Sequence, residues 1–201
     1  MDLLLATRNA HKTREIQRIL GPHFVVRDLC THPEISEIEE SGKSFEENAA
    51  LKAIAASKEL PELIIADDSG LEVDALNGAP GIYSARYAGE TATDQENNDK
   101  LLHELERADA SKDRRSARFR CVLALAREGQ ILGTFEGVVE GTIVDLPRGN
   151  CGFGYDPVFL PTGLNKTFGE LAPAEKDRLS HRGRALEKLS AFIKAAPGCA
   201  D

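Results

Sequence analysis

The sequence predicts an α/β fold, a mixed sheet carrying helices with a second lobe beside it, and three features point that way. Apolar runs of strand length alternate with helix-period segments through the first half of the chain, and hairpin-like strands dominate the later middle. The 201 residues, 41% hydrophobic and 29% charged with 17 Gly and 9 Pro, have ordinary globular composition. No internal repeat, low-complexity segment or linker breaks the chain, so residues 1–201 read as a single domain with two lobes.

Each element has a local cause. Leu3-Leu4-Leu5-Ala6 is a buried strand, and after the polar Thr7-Arg8-Asn9 a helix places Ile16, Ile19 and Leu20 on one face until Gly21-Pro22 stops it. Val25 and Val26 suggest a second short strand, followed by an acidic stretch of unassigned form at 34–40. Ser44-Phe45-Glu46-Glu47 is a capping box, starting a helix that runs to about Leu60 before Pro61. The apolar run 63–66 is a central strand that should open into a loop at Asp67-Asp68-Ser69-Gly70, carrying carboxylates at its C-terminal edge.

Residues 77–89, rich in Gly, Pro and Ser, form an irregular loop, and Thr93 with Glu96 caps a helix that turns Leu101, Leu102 and Leu105 inward. Ala117, Phe119, Cys121, Leu123 and Leu125 alternate with a more polar side that includes Arg118 and Arg120, which is a strand. A turn at Glu128-Gly129 leads into one or two further strands over 131–144, as a hairpin. A last helix over about 182–195 buries Leu186, Leu189, Phe192 and Ile193. The cleft between two such lobes is the natural place for a ligand.

A formal net charge of −8 excludes nucleic-acid binding through a broad basic surface, so any positive site has to be local. No apolar stretch has the length of a membrane span, and the residues after Met1 lack a basic leader, so the expected location is the cytoplasm. Cys30, Cys121, Cys151 and Cys199 are dispersed without a C-x-x-C pair, so they read as reduced thiols and suggest neither zinc nor a disulfide framework.

Five constellations could carry chemistry. Thr7-Arg8-Asn9-Ala10-His11-Lys12 joins a strand to a helix, where first-turn amides, Lys12 and Arg8 suit a phosphate tail; a capped helix with solvated cations fits the same residues. Ser44, Asn48 and Lys52 share a helix face, so Lys52 is either a second phosphate ligand or part of an exposed stripe. Gly42-Lys43-Ser44 imitates the end of a P-loop, but Glu37 stands where the motif needs glycine and no apolar strand precedes it. Glu39-Glu40 and Asp67-Asp68 could each lend a carboxylate to magnesium, which takes one or two carboxylates plus phosphate oxygens and water. Gly152-Phe153-Gly154-Tyr155-Asp156-Pro157 offers close backbone approach and a flat ring for a base, or is a turn with a core aromatic. His181-Arg182 supplies donors for a ring carbonyl, or opens the final helix.

Six blocks in this order resemble the inosine triphosphate pyrophosphatase family, the Ham1-like enzymes acting on non-canonical purine nucleotides. They are Thr7-x-Asn9-x-x-Lys12, Ser44-Phe45-x-x-Asn48, Ala66-Asp67-Asp68-Ser69-Gly70-Leu71, Gly78-Ala79-Pro80-Gly81-Ile82-Tyr83-Ser84-Ala85-Arg86, Phe153-Gly154-Tyr155-Asp156-Pro157 and Ser180-His181-Arg182, and they span nearly the whole chain. The resemblance implies an elongated ITPase-like fold whose two lobes flank a central nucleotide-binding cleft, in a homodimer. It implies hydrolysis of ITP, dITP and XTP to the monophosphate and pyrophosphate. Thr7, Asn9, Lys12 and Lys52 would then hold the triphosphate, Glu39 and Asp68 would carry Mg2+, Asp68 would act as proton acceptor, and Ser69 would touch the substrate. Phe153, Gly154, Tyr155, Asp156, Lys176, His181 and Arg182 would form the substrate and base side. Arg8 stands where many members have glycine, which leaves its role open. Competing readings are a Maf-like nucleotide pyrophosphatase with other base preference and a nucleotide-binding sensor without turnover.

Overall fold

A computed structural model describes residues 1–36, 38–109, 111 and 114–195. Cys199 and Glu37 lie outside the described residues. The elements are β1 (Asp2–Leu5), α1 (Ala10–Leu20), β2 (Val25–Asp28), α2 (Phe45–Glu59), β3 (Ile64–Val73), α3 (Asp94–Arg107), β4 (Ser116–Arg127), β5 (Gln130–Ile143), β6 (Phe159–Pro161), α4 (Pro173–Leu179) and α5 (His181–Ala195). The strands make a six-stranded sheet in the order β2-β1-β3-β4-β5-β6. β1 runs parallel to β2 and β3, whereas β6 is antiparallel to β5, so the sheet is mixed.

Two compact units divide the chain. The first takes Met1–Asp68, Cys121–Gly137 and the described part of His181–Asp201, and the second takes Ser69–Arg120 and Val138–Ser180. Each has its own apolar cluster. In the first, Leu3, Leu5, Ile16, Ile65, Leu123, Leu186 and Leu189 pack together. In the second, Leu71, Val73, Leu101, Leu105, Phe119, Phe159 and Phe168 do so, with the Phe119 and Phe159 ring centroids 4.7 Å apart.

Capping explains most helix starts. Asn9 precedes α1 and its side chain accepts from the amides of His11 and Lys12, while Gly21 ends the helix at φ 73°, a conformation glycine adopts without strain. Thr93 and Glu96 form the complete capping box of α3. At α2 the reciprocal half is displaced: Ser44 Oγ accepts from Glu47 N, but the Glu47 carboxylate accepts from Lys43 N at 2.7 Å.

Three expectations need correction. The strand entering Asp67 does not open into a loop there; β3 continues through Asp67, Asp68, Ser69 and Gly70 to Val73. A polar run survives inside a sheet because cations brought by other elements neutralise it, as shown below. The polar side of β4 ends at Arg120, since Val122, Ala124 and Ala126 are as buried as their neighbours. Phe192 remains 37% exposed, its ring centroid 5.3 Å from that of Phe135. The stretch after the Glu128-Gly129 turn, where both residues have positive φ, is one strand, β5.

Candidate active site

Asp67 is the hub of the first unit. It sits inside β3 with no exposed side-chain surface, and its carboxylate accepts from Lys12 Nζ at 2.6 Å and from Arg182 Nε at 2.8 Å. Arg182, 1% exposed at the start of α5, also donates from Nη1 to Glu15 Oε2 at 2.9 Å. Cys121 Sγ donates to Asp67 Oδ2 at 3.2 Å from β4. Burial alone would raise the Asp67 carboxyl, but Arg182 and then Lys12 outweigh it and hold the group well below the usual 3.8. The same burial pushes the Cys121 thiol well up, with the Asp67 charge adding to it.

Asp68 faces a different environment. Lys52, buried on α2, donates to Asp68 Oδ1 at 2.9 Å, to the Asp67 carbonyl at 2.9 Å and to Glu40 Oε1 at 2.5 Å. Asn48, one helical turn earlier, donates from Nδ2 to Asp68 Oδ2 at 3.3 Å. Its amide can point only that way, because its Oδ1 accepts from Gly42 N at 2.8 Å. Gly42 itself cannot carry a side chain, since a Cβ would lie 2.5 Å from that oxygen. Burial lifts the Asp68 carboxyl above its usual 3.8 despite the opposing charges of Lys52 and Lys12. On Lys52 burial pulls the ammonium down, and Asp68 with Glu40 more than offset it, so the side chain stays charged.

Of the segment 7–12, Lys12 reaches this cluster. Thr7 Oγ1 accepts from Asn9 N at 3.2 Å, and the Asn9 side-chain oxygen caps α1. Ala10 and His11 are the exposed first turn of that helix. Arg8 turns elsewhere, donating to the carbonyls of Leu29 and Ile35, each at 2.6 Å. The acidic segment contributes Glu40 to Lys52, while Glu39 is exposed. Ser69 follows Asp68 on β3, half-buried, and His181 is the buried first residue of α5. Glu15 and Cys121 had not been singled out. Glu15 lies three residues after Lys12 on one helix face, a spacing that could have flagged it, whereas nothing in the sequence marks Cys121.

The second unit holds its own buried pair. Lys176 Nζ meets Asp156 Oδ2 at 2.6 Å and lies 5.0 Å from the Phe153 ring centroid. Asp156 Oδ2 also accepts from Phe153 N at 2.9 Å, and Gly152, at φ 79°, leaves room for that carboxylate, which a Cβ would meet at 1.9 Å. Gly154 is gripped at both ends of its peptide by α3: its N–H donates to Asp94 Oδ2 at 2.7 Å and its carbonyl accepts from Asn98 Nδ2 at 3.0 Å. Tyr155 is buried, its hydroxyl donating to the Ser84 carbonyl at 2.8 Å.

In the first unit three cations, Lys12, Lys52 and Arg182, face four carboxylates, Glu15, Glu40, Asp67 and Asp68. These seven groups carry no net positive charge of their own for an anion. Among the described residues no three His, Cys, Asp or Glu side chains cluster as a dedicated metal cage.

Comparison with known proteins identifies the family. A family model described as the Ham1 family matches residues 3–192. The dITP/XTP pyrophosphatase of Bacillus licheniformis is 51% identical over 196 residues, covering 97% of this chain and 99% of its own. That of Bacillus subtilis is 48% identical over 195 residues, covering 96% and 98%. A HAM1 protein from Coxiella burnetii superposes with a TM-score of 0.87 at 44% identity, over 98% of this chain and 100% of that one. The Ham1 protein of Staphylococcus aureus gives 0.84 at 42%, over 97% and 99%. With near-complete coverage in sequence and in structure, this chain belongs to the Ham1 family.

Proposed function

We propose that this chain hydrolyses non-canonical purine nucleoside triphosphates, ITP, dITP and XTP, to the nucleoside monophosphate and pyrophosphate. The observation that carries this reading is the meeting of Lys12, Lys52, Asp67 and Asp68 from three separate elements at one point of β3. Its support from relatives is the dITP/XTP pyrophosphatase activity in the names of full-length matches.

Phosphoanhydride hydrolysis needs charge neutralisation and an aligned water more than covalent catalysis. Lys12 and Lys52 neutralise the tail, Lys52 exchanging Glu40 for phosphate oxygens. Asp68, held at both oxygens by Lys52 and Asn48, accepts a proton from the water that attacks the α-phosphorus. The new bond joins water oxygen to that phosphorus, the α–β anhydride bond breaks, and pyrophosphate leaves with the electron pair. A carboxylate lifted by burial is a stronger base than an ordinary aspartate, which favours that transfer. Glu39 and Asp68 would hold Mg2+, whose chemistry here is neutralisation of phosphate charge and acidification of water.

Thr7, Asn9 and Ser69 line the tail in this reading, and Phe153, Gly154, Tyr155, Asp156 and Lys176 take the base. Discrimination rests on the six position of the purine, a carbonyl in inosine and xanthosine and an amino group in adenosine, so donors accept the first and are left unpaired by the second. His181 and Arg182 are the donors proposed for it; Arg182 is also committed to Asp67 and Glu15, so it ties base choice to the phosphate end. The protein is further proposed to work as a homodimer in the cytoplasm.

The decisive experiment incubates the protein with ITP and Mg2+ and identifies the products. Pyrophosphate with IMP supports the reading, whereas orthophosphate sinks it. A panel of ITP, XTP, dTTP and UTP separates it from a Maf-like preference, and tight binding without release of pyrophosphate would mark a sensor.

A further inference from the structure

Arg8 sits in the stretch proposed to bind phosphate, yet its guanidinium donates into a different segment, at Leu29, His32 and Ile35. Nη1 donates to the Leu29 carbonyl at 2.6 Å, and Nη2 donates to the Ile35 carbonyl at 2.6 Å and the His32 carbonyl at 3.4 Å. The planar fork of a guanidinium suits several acceptors at once, which a lysine could not match. The backbone reinforces the contact, with Leu29 N donating to the Thr7 carbonyl at 3.0 Å and Cys30 Sγ to the Arg8 carbonyl at 3.7 Å.

The segment so held leads directly to the acidic residues. Glu34, Ile35, Ser36 and Ile38 share the lining of a groove with Ala55, Lys58 and Glu59 of α2, so the segment runs along that helix. Farther on, Glu40 meets Lys52 of the same helix. Two cations therefore pin this strap: Arg8 through main-chain carbonyls and Lys52 through a carboxylate. In the proposed reaction Lys52 exchanges Glu40 for phosphate, which releases the second pin at the moment the acidic segment is needed.

We propose that Arg8 is a positioning residue that keeps the 29–36 strap in place, and with it the position of Glu39, while Lys52 is engaged by substrate. The proposal rests on the phosphate-end reading above but is tested separately from it. Hydrogen exchange of residues 29–36 is measured on metal-free, nucleotide-free wild type, Arg8→Ala, Arg8→Lys and Glu40→Gln. Exchange should accelerate about tenfold or more in Arg8→Ala, less in Arg8→Lys, and stay slow in Glu40→Gln, where Arg8 still holds. With ITP, Arg8→Ala should raise KM and the half-saturating Mg2+ concentration about fivefold with kcat within about twofold, and Arg8→Lys should recover part of this. Unchanged exchange in Arg8→Ala overturns the proposal. So does faster exchange with unaltered KM and Mg2+ requirement, which would leave Arg8 a local brace. Wild type that releases no pyrophosphate from ITP defeats the functional reading and leaves the exchange comparison standing.

Discussion

Each unit of this molecule buries a lysine against an aspartate, and the two pairs differ in their company. Lys52 and Asp68 stand 2.9 Å apart within an array that includes Lys12, Asp67, Arg182, Glu15 and Glu40. Lys176 and Asp156 stand 2.6 Å apart beside the face of Phe153. Charge density separates them. Under the proposed function the first array would exchange partners for the oxygens of a polyphosphate, and the second, one ammonium against an aromatic face, would meet a flat heterocycle. Within the first array the contrast recurs between neighbours. Asp67 is over-supplied with cations and stays ionised, whereas Asp68 is lifted by burial. Adjacent residues on a strand face opposite ways, and so Asp67 meets Lys12 and Arg182 while Asp68 meets Lys52 and Asn48.

The largest effect expected from breaking this contrast is on stability at Asp67. Asp67→Ala strands Arg182 and Lys12 near buried positions and should cost roughly 3–5 kcal/mol in urea denaturation. Asp68→Asn should instead lose roughly 100-fold or more in turnover with folding stability undiminished, and a variant of unchanged kcat would remove Asp68 from the mechanism. In the second unit Phe153→Ala should raise KM for ITP about tenfold, the scale of one base–aromatic stack, with kcat nearly constant. A drop in kcat alone would assign that ring to something other than base binding.

The pH dependence sharpens the contrast with the smallest signal. Because the folded Asp67 carboxyl lies below its usual 3.8, its stabilisation is complete above 3.8 and is lost as pH falls further. Because the folded Asp68 carboxyl lies above 3.8, its contribution is present below 3.8 and disappears as pH rises through the folded value. In EDTA, the melting temperature of Asp68→Asn relative to wild type should therefore climb as pH rises from acid toward neutrality. A difference that stays flat with pH would mean that burial does not lift Asp68.

Much of the first unit was legible. The Leu3-Leu4-Leu5 run, the Gly21-Pro22 stop and the Ser44 cap are local signals, and they place β1, α1 and α2 within a residue or two. The second half of β3 was not legible, because Asp67-Asp68-Ser69-Gly70 carries turn chemistry. What keeps it extended is Arg182, 115 residues away, with Lys12 and Lys52. Pairing at that distance leaves no periodicity to read. The same holds for Glu40: sequence distinguishes it poorly from Glu39, and the contact with Lys52 depends on how a non-repetitive segment runs along α2. Phe192 falls on the apolar face of α5, yet it stays partly exposed against Phe135, a placement that helix periodicity does not distinguish from burial.

Lys52 is anchored partly by the carbonyl oxygen of Asp67, at 2.9 Å. A main-chain atom is beyond the reach of substitution, so every replacement at position 67, however damaging to Arg182, leaves that one acceptor in place. Anyone wishing to relocate this ammonium by engineering has to alter the course of the strand, since changing its letters will not suffice.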